Sequence, residues 1–263
     1  MQHKINNLYI YPIKSLAGIE VTEANALNAG FQYDRRWMLV DEKGEFITQR
    51  EIPNMALFHV SIQGQVIQIK FGEQLLKVHT EEQNGQSLQT KVWDDPAHTV
   101  GVSEQADEWF SDMFSKKVTL VKIYDDNSRL HHNKSRNTHL KVSLADGYPY
   151  LAIGTASHQL LNTKLTTPVS ILRFRPNIVV DTDEPHIEDT WKMASTENVV
   201  FDNMKPCGRC MIVTIDPTTG IVNNETLTVL NTYRKSGNNV LFGTNMMCTQ
   251  EGTIKVGDIL NLH

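Results

Sequence analysis

Cysteine is scarce in this chain of 263 residues. It carries three, Cys207, Cys210 and Cys248, and so odd and low a number argues against a secreted disulfide framework. Long apolar runs are missing too. No stretch is long and apolar enough to span a bilayer, and Met1-Gln2-His3-Lys4-Ile5-Asn6-Asn7 lacks the apolar core of a signal peptide. The expected setting is therefore a reducing cytoplasm with no membrane partner, and the sequon Asn224-Glu225-Thr226 carries little weight there. Positive charge is in deficit: 25 Lys and Arg against 30 Asp and Glu, a net charge of -5, which excludes a general binder of nucleic-acid polymers. A Gly-x-Ser-x-Gly elbow, a Walker A loop and a Rossmann fingerprint are all absent. So are a Cys-x4-Cys-x2-Cys iron–sulfur run, low-complexity tracts and solenoid repeats.

What is present is a chain with a core. Hydrophobic residues make up 40% and charged residues 21%, ordinary for a globular protein of one large or two modest domains. Alternating apolar residues predict short strands at 8–13, 19–27, 36–40, 45–48, 58–62, 66–70 and 75–78, closely spaced and separated by turn signals. Ser103 followed by Ala106, Trp109, Phe110 and Met113 predicts a capped helix. A strand over 118–123 and an exposed polar loop over 125–137 follow. Further strands are expected at 150–153, 174–180, 199–201, 210–215, 240–246 and 253–258. Helices are expected from Thr155, as cap, and over 227–233. The expected class is mixed, β-rich α+β, a barrel or sandwich with a soft boundary near the helix at Trp109 or the polar loop after it.

The residues most apt for chemistry are Lys205-Pro206-Cys207-Gly208-Arg209-Cys210, which run into Met211-Ile212-Val213-Thr214-Ile215 and an Asp216-Pro217-Thr218-Thr219-Gly220 loop. Two thiols beside an arginine suit soft-metal binding, disulfide exchange or attack on an electrophile. A second Cys pair for a structural zinc is lacking, and a thioredoxin-like pair belongs at a helix start rather than before a strand. Three basic clusters stand at strand ends: Lys14-Ser15, Asp34-Arg35-Arg36-Trp37 and Arg173-Phe174-Arg175-Pro176-Asn177. Each sets a cation beside hydroxyl or amide donors, a combination suited to a phosphate or other oxyanion, although each taken alone is better described as surface charges and structural ion pairs. His131 and His132, with Lys134, Arg136 and His139, are expected as solvated loop residues, and His158 as a packing or capping residue. Asp181, Asp183, Glu184, Glu188 and Asp189 are expected as an exposed acidic loop.

Taken together these pieces resemble a known family. Tyr11-Pro12-Ile13-Lys14-Ser15 resembles the opening of the MOSC N-terminal β-barrel domain. Arg173 to Val179, Cys207-Gly208-Arg209-Cys210 with Asp216 to Gly220, and the closing Gly252 to Asp258 resemble the core of the MOSC domain. The pattern is similar to that of the mitochondrial amidoxime reducing components, their bacterial counterparts and molybdenum-cofactor sulfurases. The resemblance implies a barrel-like domain over 1–120 and a second β-barrel domain with a few helices over 121–263. It implies a molybdenum–pyranopterin cofactor with Cys210 as metal ligand and catalytic centre, and Cys207 at the non-ligand position. It implies that Lys14, Ser15, Arg35 and Arg175 hold the phosphate and pterin, that Thr155, Ser157, Asn177, Gly208 and Arg209 line the cofactor, and that Arg209 beside the thiol favours the thiolate. Some relatives have Ser at the position of Gly208. The implied activity is reduction of N-hydroxylated compounds (hydroxylaminopurines, amidoximes, hydroxylamines). Electrons would come from a separate protein, a flavin reductase with or without an iron–sulfur or haem carrier. The alternative is a sulfur-carrier or cofactor-handling module working through a Cys persulfide.

Overall fold

The computed structural model describes residues 2–123, 129–133 and 137–263. The chain folds as two compact units that interleave in sequence. One comprises Met1–Ile10, Glu20–Gln32 and Tyr148–His263, the other Tyr11–Ile19 and Tyr33–Gly147.

The first unit is built on a closed ring of seven strands. Its order is Tyr150–Gly154, Ile178–Asp181, Gln2–Ile10, Ile259–Leu262, Met193–Ser195, Val200–Arg209 and Asn239–Gln250, and the last strand pairs back onto Tyr150–Gly154. Closure removes the exposed edges that an open sheet of this size would leave. Every pairing is antiparallel except that of Tyr150–Gly154 with Ile178–Asp181. A parallel pair needs a crossover, and the helix Thr155–Thr163 lies within that connection. Leu151, Ile153, Leu161, Phe174, Val213, Leu230 and Phe242 form a buried cluster, with Phe174 and Phe242 rings 4.3 Å apart. Where Asn239–Gln250 meets the closing strand, Gly243 has φ +72°, and a Cβ there would lie 2.7 Å from the Ala152 carbonyl oxygen; only glycine fits such a place.

The second unit holds the sheet Trp37–Val40, Thr119–Ile123, Asp95–Gly101, Ser87–Val92 and the meander His59–Gln63, Val66–Phe71, Gln74–His79. Its helix, Glu104–Phe114, starts where the sequence places it, with Ser103 Oγ accepting from the Ala106 N–H. Phe110 and Ala106 sink into a core with Ile13, Leu16, Trp37, Leu39 and Phe58. The whole is the expected β-rich α+β class, with three α-helices among the described residues.

Several local expectations are corrected. His131 and His132 are not loop residues; they sit in the strand Arg129–Asn133, paired with Thr138–Val142. Alternation explains it, since Arg129 and Asn133 are buried on one face of that strand. Lys134 and Arg136 lie outside the described residues. Met211–Thr214 is a 3-10 turn rather than a strand, with Val213 and Ile215 N–H groups bonded to Cys210 and Ile212 carbonyls; a short apolar run does not distinguish the two by periodicity. Ile171–Phe174 is another such turn, and the strand after it begins only at Ile178, because Pro176 has no N–H to give a ladder.

Candidate functional site

The Cys-x-x-Cys segment lies at the end of a strand, not before one. Cys207, Gly208 and Arg209 close Val200–Arg209, and Cys210 continues extended at φ −111°, ψ −174°. Side chains alternate along such a backbone. Cys207 and Arg209 share the inner face: Arg209 Nη1 donates to Cys207 Sγ at 3.1 Å, and Nη2 donates to the Phe174 carbonyl at 2.7 Å. The guanidinium also lies over the Phe174 ring at 5.5 Å. Gly208 and Cys210 share the outer face and are exposed. The Cys210 thiol has no hydrogen-bond partner among the described residues. Arg209 therefore serves Cys207, not Cys210, a correction to the expected pairing. Three extended residues also set the two Cα atoms roughly 10 Å apart, beyond the reach of a disulfide. Cys248 is buried on the Asn239–Gln250 strand. Burial first, then the charge of Glu251, push its thiol up to about 11, so it stays protonated and inert.

Around this turn the backbone is tied down tightly. Arg173 is buried, donating to the Thr214 carbonyl at 3.1 Å and to Asp216 Oδ2 at 2.8 Å. Asp216 Oδ1 accepts the N–H groups of Thr218 and Thr219. Burial works against the Asp216 charge, but those two N–H groups and Arg173 outweigh it and lower its pKa. Arg173 is thus a strut for the Asp-Pro-Thr-Thr-Gly loop. Arg175 adopts a left-handed backbone, φ 55°, directly after the Phe174 carbonyl that Arg209 binds. Asn177 is buried and spends its amide inside the barrel, accepting from the Leu151 N–H and donating to the Tyr9 carbonyl.

Gly154, rather than Thr155, caps the crossover helix. Thr155 Oγ1 donates to Asp181 and accepts from the Thr182 N–H. Ser157 is fully buried; its hydroxyl donates to Glu188 Oε2 at 2.8 Å and accepts the His186 N–H at 2.8 Å. Glu188 was expected in an exposed loop but has no exposed surface. It also accepts the Gly154 N–H, and burial raises its pKa despite these hydrogen bonds. Asp189 is likewise engaged, in an ion pair with Arg234.

In the second unit Lys14 is buried, and its ammonium donates to the Leu144 carbonyl at 2.9 Å and to Asp146 Oδ1 at 2.5 Å. Burial lowers its pKa, against the pull of Asp146. A third N–H of that ammonium is left for another acceptor. Ser15 sits at φ 70° and its carbonyl accepts from Gln49 Nε2 at 2.7 Å. Arg35, at φ 49°, pairs with buried Asp34 at 2.6 Å and covers the Tyr11 ring at 4.3 Å. Two cations escaped the sequence reading. Arg129 is buried, bonded to the carbonyls of Val92, Ala145 and Asp146 and paired with Asp95. Arg50 lies over the Trp93 ring at 4.3 Å. Arg129 falls inside the polar loop expected over 125–137, where the structure instead has a buried strand residue, and Arg50 stands alone between Gln49 and Glu51, so neither formed a cluster to notice.

The donor chemistry fits a soft metal on Cys210, an exposed and unspent sulfur. Among the described residues no three His, Cys, Asp or Glu side chains converge as a metal cluster. No helix among the described residues is long and apolar enough to cross a membrane.

The mitochondrial amidoxime-reducing component 1 of Mus musculus is 28% identical over 97% of this chain and 80% of its own length. The Xenopus laevis protein of the same name is 29% identical with the same coverage. Human molybdenum cofactor sulfurase is 31% identical over 93% of this chain, which spans 30% of that larger protein. Residues 2–117 match the MOSC N-terminal beta barrel domain and residues 139–261 the MOSC domain, and the chain belongs to the MOSC-domain family.

Proposed function

We propose that the protein is a molybdenum-cofactor-dependent reductase of N-hydroxylated compounds. The observation that carries the reading is the separation of the two thiols: Cys207 is engaged by Arg209 on the inner face, while Cys210 is exposed and unpartnered on the outer one. In the first unit Cys210 would ligate molybdenum, and Arg209 braces the turn through the Phe174 carbonyl. In the second unit Lys14, Ser15 and Arg35 are the residues for the phosphate and pterin. Thr155, Ser157 and Asn177 spend their side chains within the first unit, Thr155 on Asp181, Ser157 on Glu188 and Asn177 on the Tyr9 carbonyl. When bound, the cofactor supplies a two-electron redox couple. The overall change takes R–NHOH, two electrons and two protons to R–NH2 and water. In this reading the electrons come from a separate donor protein.

The test is molybdenum analysis of protein from a cofactor-competent host, with turnover of an N-hydroxylated base driven by a reduced viologen. Metal-bearing protein that fails to turn over any such base sinks the reading. The likeness to molybdenum cofactor sulfurase favours a second reading, a Cys210 persulfide that passes sulfur to a partner. Protein-bound persulfide without molybdenum would select it.

A further inference from the structure

Lys14 and the two arginines whose charges act on it are ion-paired. Lys14 pairs with Asp146, Arg35 with Asp34 and Arg129 with Asp95. Arg50 is left over: among the described residues its side-chain N–H donors meet no acceptor, although its charge acts on Asp146. Its guanidinium carbon lies over Trp93, 4.3 Å from the ring centre. Trp93 is 46% exposed and sits at φ 58°, at the first position of the two-residue hairpin turn between Ser87–Val92 and Asp95–Gly101. Phe46 meets the indole edge-on at 5.3 Å, and the Lys14 ammonium lies 5.0 Å from the Phe46 ring. Gln49, next to Arg50, holds the Ser15 carbonyl, so Arg50 is anchored beside the Lys14–Ser15 turn.

An unspent guanidinium offers a planar fork to an oxyanion. An exposed indole offers a stacking surface to a planar ring. A surface ion pair needs neither. We propose that Arg50 and Trp93, beside Lys14, form a subsite for a planar heterocycle bearing an oxyanion, with Arg50 taking the anion and Trp93 the ring. This rests on the reading of the Lys14–Ser15 turn as an anion site. The same chemistry has two sources, a nucleotide-like substrate or the phosphorylated pterin of the cofactor.

The test uses the full chain with guanosine 5′-monophosphate, guanosine and inorganic phosphate as probes, read by calorimetry and by tryptophan fluorescence. Trp37 and Trp191 are buried and Trp109 packs into the core, so quenching reports mainly on Trp93. The monophosphate is expected to bind more tightly than either fragment. Arg50→Ala should weaken it by about tenfold or more and weaken guanosine far less, with the melting temperature nearly unchanged; Trp93→Leu should weaken guanosine and abolish the quenching. If Arg50→Ala melts early, Arg50→Lys keeps the charge and cover while removing the fork, and should show the same ordering of losses. Molybdenum content separates the sources. Metal lost from Arg50→Ala without nucleotide binding by the parent assigns the subsite to the cofactor, and nucleotide binding lost with metal retained assigns it to substrate. Unchanged nucleotide affinity, or none in the parent, together with unchanged molybdenum in Arg50→Ala overturns the proposal. The nucleotide arm needs no metal, so it succeeds or fails apart from the reductase reading.

Discussion

At the scale of single residues, two thiols three positions apart have different chemistry because a strand alternates. Cys210→Ser is expected to abolish metal retention and turnover, with folding intact by circular dichroism, since the side chain makes no contact that the fold needs. Cys207→Ala should keep the metal but release Arg209 from the sulfur it binds. Loss of one charge-assisted hydrogen bond costs about 1.5–3 kcal/mol, read as an earlier thermal midpoint. Equal loss of metal in both variants would point to a shared role for the pair. The candidate residues were legible in the sequence, but which thiol Arg209 meets was not. Cys-x-x-Cys, Lys14, Arg35 and Arg175 announce themselves by local context. Arg50 and Trp93 do not, because 42 intervening residues separate them and only the fold stacks them. Glu188 misled for a related reason: nothing in an acidic run says that one carboxylate turns inward to meet Ser157 and Gly154.

At the scale of elements, the long hairpin partner Asn239–Gln250 carries the closing seam of the barrel. Its Gly243 combines a positive φ with a close carbonyl. Gly243→Ala should destabilise by about 1–3 kcal/mol, seen as a lowered denaturation midpoint at unchanged slope, while Gly64→Ala, with open space around it, should lose less. The capped helix and most strands were readable from period and caps. The 3-10 turns at Ile171–Phe174 and Met211–Thr214 were not, because hydrogen bonding within four residues, not side-chain pattern, separates a tight turn from an apolar strand.

At the scale of the molecule, two groups pull the acid stability in opposite directions. Burial, then Arg234, lower the pKa of His186 to about 4. Between its ordinary value and that point the unfolded chain holds the extra proton, so stability is lost as pH falls from about 6.5 to 4, by on the order of 2 kcal/mol. Burial raises Asp107 to about 6. There the folded chain holds the extra proton, so stability is gained as pH falls from about 6 to 4. Asp107→Asn can still accept the Leu120 N–H; it should raise the melting temperature near pH 8 and leave it almost unchanged near pH 4. An equal effect at both would rule out a titrating Asp107. The barrel has a further consequence, in time rather than energy. Its stave Gln2–Ile10 pairs on one side with Ile178–Asp181 and on the other with Ile259–Leu262. During synthesis that stave must wait, half-exposed, while more than two hundred residues are translated before its second neighbour exists. The ring is thus a late, slow-closing structure of high contact order, and the nascent chain is a natural client for a chaperone that shields unpaired strands.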